Sequence, residues 1–195
     1  MKNLSVIGIG RLGLCFCLTL ESAGYNVIGC DIRKEYIMAI NKKAINSFEP
    51  GVNEKLLKSK NFRATLNLKE TISHSKIIFV TVATYSEKDG KYDVSQVDSV
   101  VSGLLDLGVQ EKRKHLIICS NVNPGYSDSV SIKLKRYNWD VSFNPETVAQ
   151  GTILKNQSQP DCVYIGAQLI RDANEIEEIY RSMCINTPKI FKMDR

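Results

Sequence analysis

Gly8-Ile9-Gly10-Arg11-Leu12-Gly13 decides how this chain is read. The apolar run that leads into it, residues 4–9, has the character of a buried strand, and residues 12–22 beyond it have helical length and stop at Gly24. Strand, glycine turn and helix in that order make the turn that holds a dinucleotide's diphosphate, since a helix start offers free N–H groups and a partial positive charge. The glycines answer separate demands. Gly8 permits the tight turn, Gly10 lets the diphosphate approach the backbone, and Gly13 lets helix and strand pack closely. Arg11 and Leu12 ride on the same turn and border the ligand.

A second strand, residues 26–30, ends beside Asp31, about 20 residues beyond the glycines. A carboxylate there accepts hydrogen bonds from the adenosine ribose and repels a 2′-phosphate, which favours NAD over NADP. Arg33 pulls mildly the other way. The competing reading is a glycine turn that packs without a ligand, with Asp31 capping the next helix.

Further along, β-branched runs alternate with amphipathic ones. Strands are expected at residues 77–82, 116–120, 141–143, 162–165 and 190–192, with a weaker one at 62–65, and helices at 34–42, 52–58, 94–107, 127–137 and 171–183. Val97, Val100, Val101, Leu104 and Leu105 form one stripe, and Asp93 stands where a cap belongs. This is the pattern of an α/β chain with a doubly wound, mostly parallel, Rossmann-like sheet, read as one domain over residues 1–195.

Composition narrows the partners. With 26 Lys+Arg against 21 Asp+Glu the net charge is +5, but the basic residues are scattered. Without a basic stripe nucleic acid is not expected, and the Lys112-Arg113-Lys114 run reads as a solvated loop. The six Cys lie mostly in apolar runs without CxxC spacing, which points to reduced thiols in the cytoplasm and to no metal. Cys119 reads as core filler, and His74 and His115 as surface residues on the edge away from the site. No apolar span reaches the roughly 18 residues of a membrane helix.

Motifs after the glycine turn resemble, in order, those of the UDP-glucose/GDP-mannose dehydrogenase family, specifically its N-terminal NAD-binding domain. Glu49-Pro50-Gly51-Val52 is like the family's EPGL, Val82-Ala83-Thr84-Tyr85 like V-x-T-P, and residues 90–97 like G-x-x-D-x-S-x-V. Ser120-Asn121-Val122-Asn123-Pro124-Gly125 is like STVPVG, and Asn144-Pro145-Glu146 like the start of NPEFLREG. The resemblance implies oxidation of a nucleotide sugar's C6 alcohol to a carboxylate with two NAD, and a place in capsule or envelope polysaccharide synthesis. It places Thr84, Asn121 and Gln150 on the cofactor side and turns Glu146 toward the sugar, where it orients or activates the water that resolves a covalent intermediate.

Departures from the pattern matter. Asn121 stands for a threonine, Tyr85 for a proline, and Ala149 and Gln150 for an arginine and a glutamate, which removes two charges from the substrate side. The family's nucleophilic cysteine, catalytic lysine and nucleotide-binding half lie beyond the matched region, so the chain is expected to be part of a longer protein and inactive alone. The full-length protein is expected to be a homodimer. Two other readings stay open: a diverged, non-catalytic NAD-binding module, favoured by Ala149 and Gln150, and a different NAD enzyme of the 3-hydroxyacid or 6-phosphogluconate dehydrogenase type.

Overall fold

The computed structural model describes residues 2–194. Its centre is an eight-stranded sheet in the order β10-β9-β8-β7-β4-β1-β2-β3. One half is built from β1 (Asn3–Ile7), β2 (Asn26–Cys30) and β3 (Phe62–Thr65), the other from β4 (Ile77–Val80), β7 (Lys114–Ile118), β8 (Trp139–Phe143), β9 (Cys162–Ala167) and β10 (Lys189–Met193). Strand β1 pairs in parallel with β2 on one side and β4 on the other. The order therefore reverses between β1 and β4, and a crevice opens outside their carboxyl ends. A short antiparallel pair, β5 (Tyr85–Ser86) and β6 (Tyr92–Asp93), stands apart from this sheet.

Side-chain alternation supplies both faces of the core. Leu4, Val6, Phe79 and Ile117 point to the face covered by α1 (Arg11–Ser22), where Phe16 meets Phe79 edge-on at 4.9 Å between ring centroids. Ile7, Ile78, Val80, Leu116 and Ile118 point to the other face, covered by α4 (Leu68–His74), α5 (Ser95–Asp106) and α6 (Tyr126–Lys135). The expected stripe of α5 is realised, with Val97, Val101 and Leu104 buried and Val100 and Leu105 packed at the margin. Asp93 accepts a hydrogen bond from Ser95 N at 2.9 Å at its start.

The remaining helices are α2 (Lys34–Asn41), α3 (Val52–Lys58), α7 (Ile153–Ser158) and α8 (Ile170–Met183). Neither α4 nor α7 is among the elements expected from sequence. The start of α4 carries a legible signal, because Asn67 accepts from Glu70 N at 3.1 Å in the Asn-x-x-Glu spacing of a capping box. Strand β9 runs antiparallel to β8 while β10 runs parallel to β9. Helix α8 consequently starts at the amino edge of the sheet and runs back to the carboxyl edge, touching both.

The amino edge corrects two expectations. Arg113 is not in a solvated loop: its guanidinium pairs with Asp140, Asp172 and Glu175 (3.1 Å to Glu175), and Lys114 donates to the carbonyls of Ile72 at 2.6 Å and Ser75 at 2.8 Å. His115 is not a surface residue either. It is fully buried, with Nδ1 at 2.9 Å from Glu175 and Nε2 at 2.8 Å from Ser142 Oγ. His74 is half-buried, its Nε2 at 3.1 Å from the carbonyl of Asn26. The reason lies in α8, whose Asp172 and Glu175 arrive only because β9 reverses direction.

Candidate functional site

Because β1, β2, β4, β7 and β8 share one direction, their carboxyl ends bring the glycine turn, Asp31, Thr84, Asn121 and Glu146 to the same edge. Gly8 has φ +90°, and a Cβ there would meet Val82 N at 2.7 Å. A Cβ on Gly13 would stand 2.4 Å from the Gly8 carbonyl oxygen and 2.5 Å from Thr81 Oγ1, so this position joins helix to strand by direct contact. Gly10 is different: its nearest neighbour would be Arg33 Nη2 at 3.9 Å. The space over Gly10 is thus open, and among the described residues no side chain caps α1. An uncapped helix start behind an open glycine has the shape and charge that a diphosphate needs.

Asp31 sits at the end of β2 with its side chain nearly buried, gripped by Arg33. Arg33 Nε lies 2.9 Å from Oδ1 and Nη2 2.9 Å from Oδ2, and the Arg33 backbone N donates to Oδ1 at 3.1 Å. The guanidinium also stacks 4.1 Å from the Tyr36 ring centroid. Oδ1 thus accepts twice and Oδ2 once, so Oδ2 keeps an acceptor direction for a ribose hydroxyl.

The loop after β8 folds back onto the glycine turn. Arg11 Nη1 donates to Gln150 Oε1 at 2.6 Å. Glu49, buried, accepts from Gly151 N at 2.7 Å and Ile153 N at 3.4 Å, tying the Glu49-Pro50-Gly51 segment to the same loop. Asn123 clasps β6 by accepting from Tyr92 N at 2.9 Å and donating to the Tyr92 carbonyl at 3.0 Å. Thr84 is half-buried and Asn121 exposed on this edge.

Glu146 is turned inward. Tyr180 Oη lies 3.0 Å from its Oε1, and Gln157 Nε2 lies 3.4 Å from its Oε2. Burial pushes the Glu146 carboxyl above the usual carboxylate range. Cys119 is buried beside it, its thiol pushed far up chiefly by burial, which leaves it inert as a nucleophile. Glu49, Asn123, Gln157 and Tyr180 were not singled out from sequence. Glu49 and Asn123 had a signal, as members of motifs that resemble the family's; Gln157 and Tyr180 had none.

The model of the UDP-glucose/GDP-mannose dehydrogenase family, NAD binding domain, matches residues 2–184. The chain belongs to this family. It is 33% identical over 184 residues to an uncharacterized protein of Methanocaldococcus jannaschii, covering 92% of this chain and 20% of the relative. It is 28% identical over 194 residues to the GDP-mannose 6-dehydrogenase of Pseudomonas aeruginosa, covering 93% of this chain and 44% of that enzyme. The crystal structure of a ternary complex of the Pseudomonas aeruginosa GDP-mannose dehydrogenase superposes with a TM-score of 0.90 at 25% identity, over 100% of this chain and 46% of that one. The chain thus spans less than half the length of these relatives. Its cofactor is NAD, and the open, uncapped glycine turn fits it. Among the described residues no helix is long and apolar enough to cross a membrane.

Proposed function

We propose that this chain is the cofactor-binding part of a nucleotide-sugar 6-dehydrogenase. The observation that carries this reading is the open space over Gly10 at an uncapped helix start, with Gln150 bonded to Arg11 of the same turn and Glu146 linked to Leu12 through Gln157. The backbone of residues 8–13 holds the diphosphate, Asp31 receives the adenosine ribose, and Thr84 and Asn121 border the nicotinamide side. Bound NAD supplies the hydride acceptor. Glu146 works at the sugar side, holding or moving a proton. Arg11, by pairing with Gln150, positions the loop that carries both.

The chain forms the single cofactor domain over residues 1–195 of a longer, homodimeric, cytoplasmic protein, whose other half provides the nucleotide pocket and the nucleophilic thiol. Gln150, drawn to Arg11, and Ala149 leave the substrate side less charged than the family pattern, which favours a sugar other than UDP-glucose. The same pair supports a second reading, an NAD-binding module without turnover. The protein carrying this chain is to be incubated with NAD and a panel of nucleotide sugars while NADH absorbance is followed. Turnover with one of them is expected; calorimetric binding of NAD without turnover on any sugar establishes the second reading.

A further inference from the structure

Proton counting around Glu146 leads further than its position alone. Asn144 is fully buried, and its Nδ2 donates to the Tyr164 carbonyl at 2.8 Å, which fixes the orientation of the amide and presents Oδ1 as an acceptor. Tyr180 Oη lies 2.9 Å from that Oδ1 and 3.0 Å from Glu146 Oε1. The phenol has one proton for two acceptors. If Glu146 were ionised, one of these contacts would set two lone pairs against each other in a partly enclosed site. If Glu146 carries a proton on Oε1, it donates to Tyr180, Tyr180 donates to Asn144, and Asn144 donates to the backbone, so every contact is satisfied.

The surroundings agree. The titratable groups around the carboxyl are Tyr180 from α8, Cys184 just after it, Cys119 from the end of β7 and Cys162 of β9, which lines the same cavity, all acids whose charging would repel a carboxylate. The neutral Gln157 faces it from α7, with Nε2 shared between Glu146 Oε2 and the Leu12 carbonyl. No lysine, arginine or histidine lines the cavity of about 20 Å³ bounded by Glu146, Gln157 and Tyr180. That volume admits one water, and the buried Gln157 Oε1, without a partner among the described residues, is a donor's natural target there.

We propose that Tyr180 and Asn144 hold Glu146 as a neutral carboxylic acid, with its proton on Oε1 donated to the Tyr180 hydroxyl, so that the site stores a proton beside the glycine turn. Tyr180 is then a positioning residue for Glu146, and Glu146 acts first as a proton donor, becoming a base only after that proton leaves. The catalytic meaning rests on the proposed function, but the proton itself is read on the chain without cofactor or sugar.

Infrared difference spectroscopy of the chain against Glu146→Gln, titrated with pH, reads the carboxylic-acid carbonyl directly. The acid band is expected to persist at neutral pH and to be missing from the variant. In Tyr180→Phe its titration midpoint is expected to fall, because the neutral acid loses its acceptor; a rise would show Tyr180 donating to a carboxylate and overturn the proposal. Should Tyr180→Phe fail to fold, the native chain decides: a Glu146 signal already ionised at neutral pH contradicts the proposal. In the protein carrying this chain, Tyr180→Phe is expected to shift the pH profile of turnover with little change in KM for NAD. Loss of NAD binding in the native chain would instead refute the proposed function and leave the proton assignment standing.

Discussion

The two edges of the sheet hold similar side chains and treat them in opposite ways. At the amino edge Arg113, Asp140, Asp172, Glu175, His115 and Lys114 are all consumed by one another or by backbone carbonyls. The ligand atoms of His115, Asp172 and Glu175 lie within 4.8 Å of one another, yet the Arg113 guanidinium already occupies both carboxylates. At the carboxyl edge the helix start is uncapped, Gly10 is open and Glu146 has its own proton circuit. Ionic groups that satisfy each other hold a fold together. Backbone donors left without partners are what a ligand can use.

The largest break in this comparison is Arg113→Met. The change strips the principal partner from Asp172, whose side chain is 3% exposed and, among the described residues, keeps Arg171 at 3.4 Å. A loss of about 3 kcal/mol in urea unfolding is expected, with NAD affinity of the folded chain unchanged. The same edge sets the acid response. Burial opposes the Glu175 charge, but hydrogen bonds from His115, Lys76 and Arg113 outweigh it and hold the carboxyl well below its usual range. A depressed folded value means that this stabilisation is complete above the unfolded glutamate range and is lost as pH falls through the folded value. Arg113→Met is therefore expected to show a shallower decline of the urea midpoint toward acid pH than the native chain.

At the carboxyl edge two glycines separate packing from binding. Gly13→Ala forces a methyl to 2.4 Å from a backbone carbonyl oxygen and is expected to cost about 2 kcal/mol of stability as well as NAD binding. Gly10→Ala meets nothing closer than 3.9 Å, so stability is expected to stay within about 1 kcal/mol while NAD binding weakens about tenfold or more. Thermal unfolding together with calorimetry distinguishes the two. The smallest effect is expected for Asp31→Asn, where loss of the charge opposing a 2′-phosphate narrows the preference for NAD over NADP by about 1 kcal/mol, read as a ratio of dissociation constants.

What the sequence revealed follows the same division. The glycine turn and Asp31 were legible because each demand is local: a positive φ, a helix start, a strand end; the loops after β4, β7 and β8 were marked by their resemblance to the family's motifs. The cores of β1, β4 and β7 were legible as short apolar runs. Reversal of β9 was not, since strand direction is not encoded in a short apolar run; α8 was expected at residues 171–183, but the edges of the sheet that it joins were not. That one reversal delivers Asp172 and Glu175 to Arg113 and His115 at one end and Tyr180 to Glu146 at the other. Residues whose roles depend on a distant partner, such as Arg113, His115 and Tyr180, carry no local mark.

The most direct test follows the backbone amides of residues 8–13 by NMR as NAD is added to the chain. Resonances of Arg11, Leu12 and Gly13 are expected to move together and saturate, with those of His115 and Asp172 still. Amides at the glycine turn that stay in place while NAD binds elsewhere, or no binding at all, would contradict the account.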